Sequence, residues 1–188
     1  MMREELQAFV GGRVVVVTGD ITREQVEAVV NAANSSLMGG AGVDGAIHRA
    51  GGARILEECR EIRRTLFPDG LPAGEAVITT GGQLPASHVI HTVGPIYGRH
   101  NGREAFILAR CYQNSLRLAV ERGLRSIAFP AISTGAYAYP RAEAAAVASG
   151  AIEEFLQQDE SLAQVRLVFF SPSDAEVFLE NHRFTNSG

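Results

Sequence analysis

The chain has 188 residues, 46% of them hydrophobic, which suits a single domain with a sizeable core and leaves little room for a second. Its net charge is -4 and all 17 basic residues are arginine, so Schiff-base lysines, lysine nucleophiles and lysine-bearing phosphate loops are excluded, and a broad electrostatic grip on nucleic acid is disfavoured. There is no signal-like N-terminal run and no apolar stretch near the roughly 18 to 20 residues a membrane span needs, so a soluble, cytoplasmic protein without a membrane partner is expected.

One domain is expected over 1–188, with its core at about 13–181. Residues 1–12 read as a loosely specified lead-in, with Leu6, Phe9 and Val10 available for packing, and 182–188 as a frayed tail. Strands are predicted at 13–18 and 26–33, joined by the turn Gly19-Asp20-Ile21-Thr22. Helices follow at 43–50 and 53–64, the second carrying Ile55, Leu56, Cys59 and Ile62 at helical spacing. Residues 76–80 and 88–93 read as strands, and Gly94-Pro95 ends the second. An exposed polar loop at 97–103 precedes a helix at 104–121, which Gly123 stops. A buried strand at 126–130, an Ala-rich helix at 140–157, a strand at 165–170 and a helix at 173–181 complete the pattern. This alternation predicts a three-layer α/β/α fold with a mixed, largely parallel central sheet. Cys59 and Cys111 fall inside helical patterns as small buried hydrophobes, so no disulfide, metal or cofactor is expected.

Ligands of such sheets collect at the carboxyl ends of the strands. The stretch Asn31-Ala-Ala-Asn-Ser-Ser-Leu-Met-Gly-Gly-Ala-Gly-Val-Asp44-Gly45 is a strand feeding a loop feeding a helix. Gly39, Gly40 and Gly42 let bare N–H groups approach an anion in front of the helix N-terminus. Asn31, Asn34 and Asp44 converge on the same turn. A carboxylate beside a phosphate cradle, with two neutral amides, suits the orientation or activation of a water, although an Asp near a helix start is also a common cap. The literal match of 40–45 to a dinucleotide GxGxxG fails one check: the acids about 20 positions on, Glu57, Glu58 and Glu61, lie in a helix.

A second cradle is predicted at 132–139, with Gly135 for close backbone approach and hydroxyls at Ser133 and Thr134. Tyr137 or Tyr139 would cover a sugar. Ser133 lacks a G-x-S-x-G elbow and is not read as a nucleophile. His48, His88 and His91 read as satisfied structural residues. Asp20, the 31–45 loop, the 132–139 loop and the Phe169-Phe170 pair all fall at strand ends and are taken as one site.

Gly19-Asp20-Ile21-Thr22, Val30-Asn31-Ala32-Ala33-Asn34, Gly42-Val43-Asp44-Gly45-Ala46-Ile47-His48, His91-Thr92-Val93-Gly94-Pro95 and Ala131-Ile132-Ser133-Thr134-Gly135 together resemble the motif set of the MacroD-type macrodomains, in the same order, from about Arg13 to Phe178. The resemblance implies that the ligand is ADP-ribose. It implies hydrolysis of mono-ADP-ribose from acidic side chains of proteins, and of O-acetyl-ADP-ribose. Asp20 would bind the adenine amino group with the Ile21 backbone beside it, and Phe170 would stack on the adenine. Gly39, Gly40, Ala41, Gly42 and Val43 would wrap the diphosphate together with Ser133, Thr134, Gly135, Ala136 and Tyr137. Tyr137 would also pack on the distal ribose. Asn34 and Asp44 would address that ribose and the attacking water, with Asn31 in support. Asp44 is either a base toward the water or an orienting group for the ribose. Ala41 departs from the glycine usual in the family. Missing are the paired glutamates of poly-ADP-ribose glycohydrolases, the catalytic lysine of another class, and the Cys/His insertion of zinc-containing members. The competing reading is an ADP-ribose reader without turnover, and RNA binding is disfavoured by the acidic balance.

Overall fold

The run Val14-Val15-Val16-Val17-Thr18 is β-branched throughout and buried at four of its five positions, as befits a strand covered on both faces. It is one of seven strands in a computed structural model that describes residues 2–185. The elements run β1 (Glu4–Phe9), β2 (Val14–Thr18), a 3-10 turn (Ile21–Arg23), β3 (Ala28–Ala33), α1 (Gly42–Gly51), α2 (Ala53–Thr65), β4 (Ala76–Thr80), β5 (His88–Val93), α3 (Glu104–Glu121), β6 (Ser126–Phe129), α4 (Arg141–Gln158), β7 (Gln164–Phe169) and α5 (Pro172–Asn181). The predicted boundaries of the core elements agree to within two residues, which is the fraying expected of element ends.

The sheet order is β1-β2-β7-β6-β3-β5-β4. The five inner strands are parallel, and β1 and β4 pair antiparallel at the edges. On one face Ile47 of α1 and Ile55 and Cys59 of α2 pack against Val17, Val29 and Val89. On the other Leu108 and Leu116 of α3, Ile152 of α4 and Phe178 of α5 pack against Val16, Val30, Ile90 and Leu167. This is the expected three-layer α/β/α domain, and its strand order differs from the 3-2-1-4-5-6 order of the dinucleotide fold.

Register decides where the sheet opens. β3 pairs with β5 along all six residues, but with β6 only at Ala28↔Ile127 and Val29↔Ala128. Beyond Val29 the two strands part, and a crevice forms at their carboxyl ends.

Both termini depart from expectation. Residues 4–9 form β1 instead of a loosely specified lead-in, because the outermost strand needs only backbone pairing with β2 and one buried anchor, Phe9. Residues 182–185 are packed rather than frayed. Phe184 is buried, its ring 4.7 Å from that of Phe9, and the Arg183 N–H donates to Ser149 Oγ at 2.8 Å. Residues 186–188 lie outside the described residues. Among the described residues no helix is long and apolar enough to cross a membrane.

A buried charge also escaped the pattern. Arg166 on β7 is 1% exposed and donates to Glu24 at 2.6 Å and to Glu5 at 2.9 Å. Glu24 follows the 3-10 turn, so this pair pins the Asp20 segment to β7.

Candidate functional site

The parallel strands all deliver their carboxyl ends to one edge, and each following loop is held by its own local chemistry. After β2, Asp20 caps the 3-10 turn: Oδ1 accepts the Thr22 N–H at 3.0 Å and the Thr22 hydroxyl at 2.7 Å. Its Oδ2 is left without a partner among the described residues. After β3, Asn34 fastens the loop at two points. Its Oδ1 accepts the Ser36 N–H at 3.0 Å, and its Nδ2 donates to the Gly39 carbonyl at 3.1 Å. Gly39 has φ +89°, a left-handed conformation that glycine adopts without Cβ strain. Ala41 sits at φ −95°, ψ −178°, ordinary extended backbone, so its methyl adds no strain to the loop.

Asp44 stands in the first turn of α1, 5% exposed. Asn31 Nδ2 donates one hydrogen to Asp44 Oδ1 at 2.8 Å and the other to His91 Nδ1 at 3.1 Å. With Nδ1 accepting, the imidazole proton belongs on Nε2, which faces Thr79 Oγ1 at 3.0 Å; that hydroxyl in turn donates to the Thr80 carbonyl. Burial, and secondarily the charge of His48, push the His91 pKa down to about 3, so His91 is a neutral link in this chain. His48 Nε2 lies 3.4 Å from Asp44 Oδ1. Asp44 Oδ2 and Asn34 Nδ2 both converge on the bare α-carbon of Gly40: a Cβ built there would stand 3.1 and 3.4 Å from them.

The loop after β6 carries Ser133 at φ +65° with its Oγ buried and unpartnered. A side chain on Gly94, at the end of β5, would overlap Ser133 Oγ and Ile132 Cγ2. The bare glycine therefore lets the two loops close on each other. No backbone N–H of residues 40–44 or 133–137 donates a backbone hydrogen bond among the described residues. Leaving out Thr134, which lines neither compartment of the crevice, nine residues there thus have N–H groups without a backbone acceptor among the described residues, and the first of these sets is also the positive end of α1.

Two cavities occupy the crevice. One of about 470 Å³ is lined by Ala32, Ala33, Asn34, Gly40, Ala41, Gly42, Val43, Asp44, Gly94, Ala131, Ile132, Ser133, Gly135, Ala136 and Tyr137. The other, about 530 Å³, is lined by Gly19, Asp20, Ile21, Gly42, Val43, Ala46, Arg49, Pro130, Ala131, Val168, Phe169, Phe170 and Asp174. Gly42, Val43 and Ala131 belong to both, so they form one two-part cleft. Phe170 is 73% exposed at its rim, and among the described residues Arg49 is the single cation in its wall.

Three predicted residues do not face the cleft. Asn31 is fully buried beneath Asp44. Gly39 turns toward the His48 ring. Thr134 lines neither compartment but a smaller adjoining cavity with Tyr112, Ala144 and Phe178, which shares Pro130, Ala131, Phe169 and Asp174 with the Asp20 compartment. Tyr139 is core, leaving Tyr137 as the cleft tyrosine. His91 is a satisfied structural residue as expected, hydrogen-bonded through both ring nitrogens, whereas His48 Nε2 is buried without a hydrogen-bond partner among the described residues and lies against Asp44. Gly94, Arg49 and Asp174 were missed as wall residues, and only Gly94, inside a quoted motif, carried any signal. His48, Cys59 and His91 bring one donor atom each within 4.8 Å of one another. However, His91 Nε2 is committed to Thr79, and burial, reinforced by Asp44, pushes the Cys59 thiol up to about 12. The trio thus suits hydrogen bonding within the protein better than metal ligation.

The profile of the family described as Macro domain matches residues 30–148. A Citrobacter rodentium protein named O-acetyl-ADP-ribose deacetylase is 52% identical over 168 residues, 88% of this chain and 93% of its own length. The Oceanobacillus iheyensis macrodomain with ADP superposes at a TM-score of 0.91 and 44% identity, covering 96% of each chain. The Trypanosoma brucei macrodomain in complex with ADP-ribose superposes at a TM-score of 0.82 and 38% identity, covering 90% of this chain and 68% of that one.

Proposed function

Since this chain belongs to the Macro domain family, we propose that its cleft binds ADP-ribose and hydrolyses esters at the distal ribose, namely mono-ADP-ribose on acidic side chains and O-acetyl-ADP-ribose. Support comes from relatives of this kind: one is named for the deacetylase activity, and one solved structure holds ADP-ribose.

In this reading the Asp20 compartment takes the adenosine. Asp20 Oδ2 accepts the adenine amino group, and Phe170 stacks on the ring. The diphosphate lies against the unpaired N–H groups of the loops after β3 and β6, which hold an anion without a basic side chain. The distal ribose reaches the other compartment between Asn34, Asp44 and Tyr137. A water adds to the ester carbonyl there, the bond between the acyl carbon and the ribose oxygen breaks, that oxygen takes up one proton of the water, and ADP-ribose leaves with a carboxylic acid that gives its proton to solvent.

The observation that carries the reading is the fixed Asp44: one oxygen tied to Asn31, the other converging with the Asn34 amide on the cavity wall at Gly40. Asp44→Ala tests it. Hydrolysis of a mono-ADP-ribosylated glutamate should fall by orders of magnitude while ADP-ribose affinity stays within about tenfold, roughly 1.4 kcal/mol. Turnover surviving in the folded variant would remove Asp44 from the chemistry. Wild-type binding without turnover would instead leave a reader module.

A further inference from the structure

The segment between β5 and α3 leaves the cavity wall at Gly94 and is built into its rim. The Tyr97 N–H donates to the Tyr137 carbonyl at 2.9 Å, and the Tyr97 ring meets that of Tyr139 edge-on at 5.1 Å. Internal bonds hold its shape: the Ile96 N–H donates to His100 Nε2 at 3.2 Å, and the His100 N–H to Glu104 Oε1 at 2.9 Å. Ile96 and Tyr97 are 43% and 42% exposed, and Phe106 in the first turn of α3 is 53% exposed.

The charge of the loop between β5 and α3 runs against that of the chain. Residues 95–103 carry Arg99, His100 and Arg103 and no acid, in a protein of net charge -4. Neither arginine has an ion-pair partner among the described residues, and Arg103 lies 5.2 Å over the exposed Phe106 ring. Of the nearby acids, Glu75 is paired with Arg110 at 2.9 Å; the carboxylates of Glu104, which is buried, and Glu143 accept the His100 N–H and, at 3.2 Å, the Tyr97 hydroxyl and keep their charge. A partly apolar ledge with two exposed arginines that have no ion-pair partner among the described residues thus adjoins the compartment that contains Asp44.

We propose that this ledge, at residues 96–106, docks the acidic polypeptide segment on either side of an ADP-ribosylated side chain. The inference rests on the reading of the cleft as an ADP-ribosyl site. A polypeptide esterified to a ribose beside Asp44 has to leave the cavity over its rim, and extended chain advances about 3.3 to 3.6 Å per residue, so a few flanking residues span the ledge. Arg99 and Arg103 select acidic flanks by charge, and Ile96, Tyr97 and Phe106 supply apolar contact. Because the charges are exposed, the preference fades as salt rises.

The test uses two peptides of equal length carrying ADP-ribose through a hydrolysis-resistant linkage, one with Asp/Glu flanks and one with Ser/Gly flanks. The wild-type protein should bind the acidic peptide about fivefold or more tightly. In the double variant Arg99→Glu, Arg103→Glu that ratio should fall to one or below, with free ADP-ribose affinity unchanged. Equal binding of both peptides by the wild type, or a preference that survives in the variant, overturns the proposal. So does displacement of both peptides alike by a single-stranded RNA without ADP-ribose, which would assign the ledge to nucleic acid. Failure of free ADP-ribose to bind the wild-type protein would overturn the reading of the cleft and the ledge with it, whereas a wild-type protein that binds ADP-ribose without discriminating the two peptides would overturn the ledge alone.

Discussion

Asn31 Nδ2 lies 2.8 Å from Asp44 Oδ1, so β3 and the first turn of α1 share one buried hydrogen bond, and the amide must present its NH2 side to the carboxylate. Asn31→Ala should leave that oxygen without its buried partner, costing about 1 to 3 kcal/mol of stability. Turnover per folded molecule should fall at least tenfold while ADP-ribose affinity changes little, because Asn31 faces Asp44 and not the cleft. Urea denaturation and steady-state hydrolysis measured side by side check both. Unchanged turnover would make the bond purely structural.

Asp20 uses its two oxygens differently, and two substitutions separate them. Asp20→Asn can keep the oxygen that caps the turn at Thr22 but replaces the acceptor proposed for the adenine amino group with a donor. Binding should weaken by about 1.5 to 3 kcal/mol with little loss of stability, whereas Asp20→Ala should lose both binding and about 0.5 to 2 kcal/mol of stability through the missing cap. Calorimetry that finds the Asn variant binding like wild type would remove Asp20 from ligand recognition.

The glycines at positions 94 and 135 make opposite demands. A Cβ at Gly135 meets nothing within 4 Å, so Gly135→Glu should fold with a near-native melting temperature yet abolish ADP-ribose binding by placing bulk and negative charge at the N–H cradle. Gly94→Ala should instead push Ser133 and its loop away, destabilising the fold by about 1 to 3 kcal/mol and weakening binding together. A folded Gly135→Glu variant that still binds would disqualify residues 133–137 as a phosphate loop.

His91 predicts a pH dependence of stability with a definite sign. Its folded pKa, lowered to about 3, lies below the ordinary value of 6.5, so between these two the unfolded chain binds a proton that the native state refuses. The stabilisation is complete above pH 6.5 and is lost as pH falls toward 3, at about 1.4 kcal/mol per pH unit. Chemical denaturation at pH 7 and pH 5 should differ by about 2 kcal/mol more for the wild type than for His91→Gln. Equal pH dependence in the two proteins would mean that His91 takes up its proton in the folded state.

What the chain declares by itself is local. The apolar strands, the helices with their spacing, the Asp20 turn and the glycine loop ahead of Asp44 are contacts among near neighbours or consequences of residue type, and they were legible as such. Even the polar Glu4-Glu5-Leu6-Gln7 run was not, because an edge strand is defined by the partner it pairs with and not by its own hydropathy. The same holds for the core of the site. Asn31 and His91 are 60 residues apart and carry no joint signal, yet the parallel register of β3 with β5 sets them side by side on the face that α1 and α2 cover. That register turned two unremarkable residues into the support of Asp44, and the pairing of β2 with β1 and β7 likewise brought Arg166 of β7 to Glu5 of β1. Pairing energies across the sheet decide such placements, and they exist only once the strands have met.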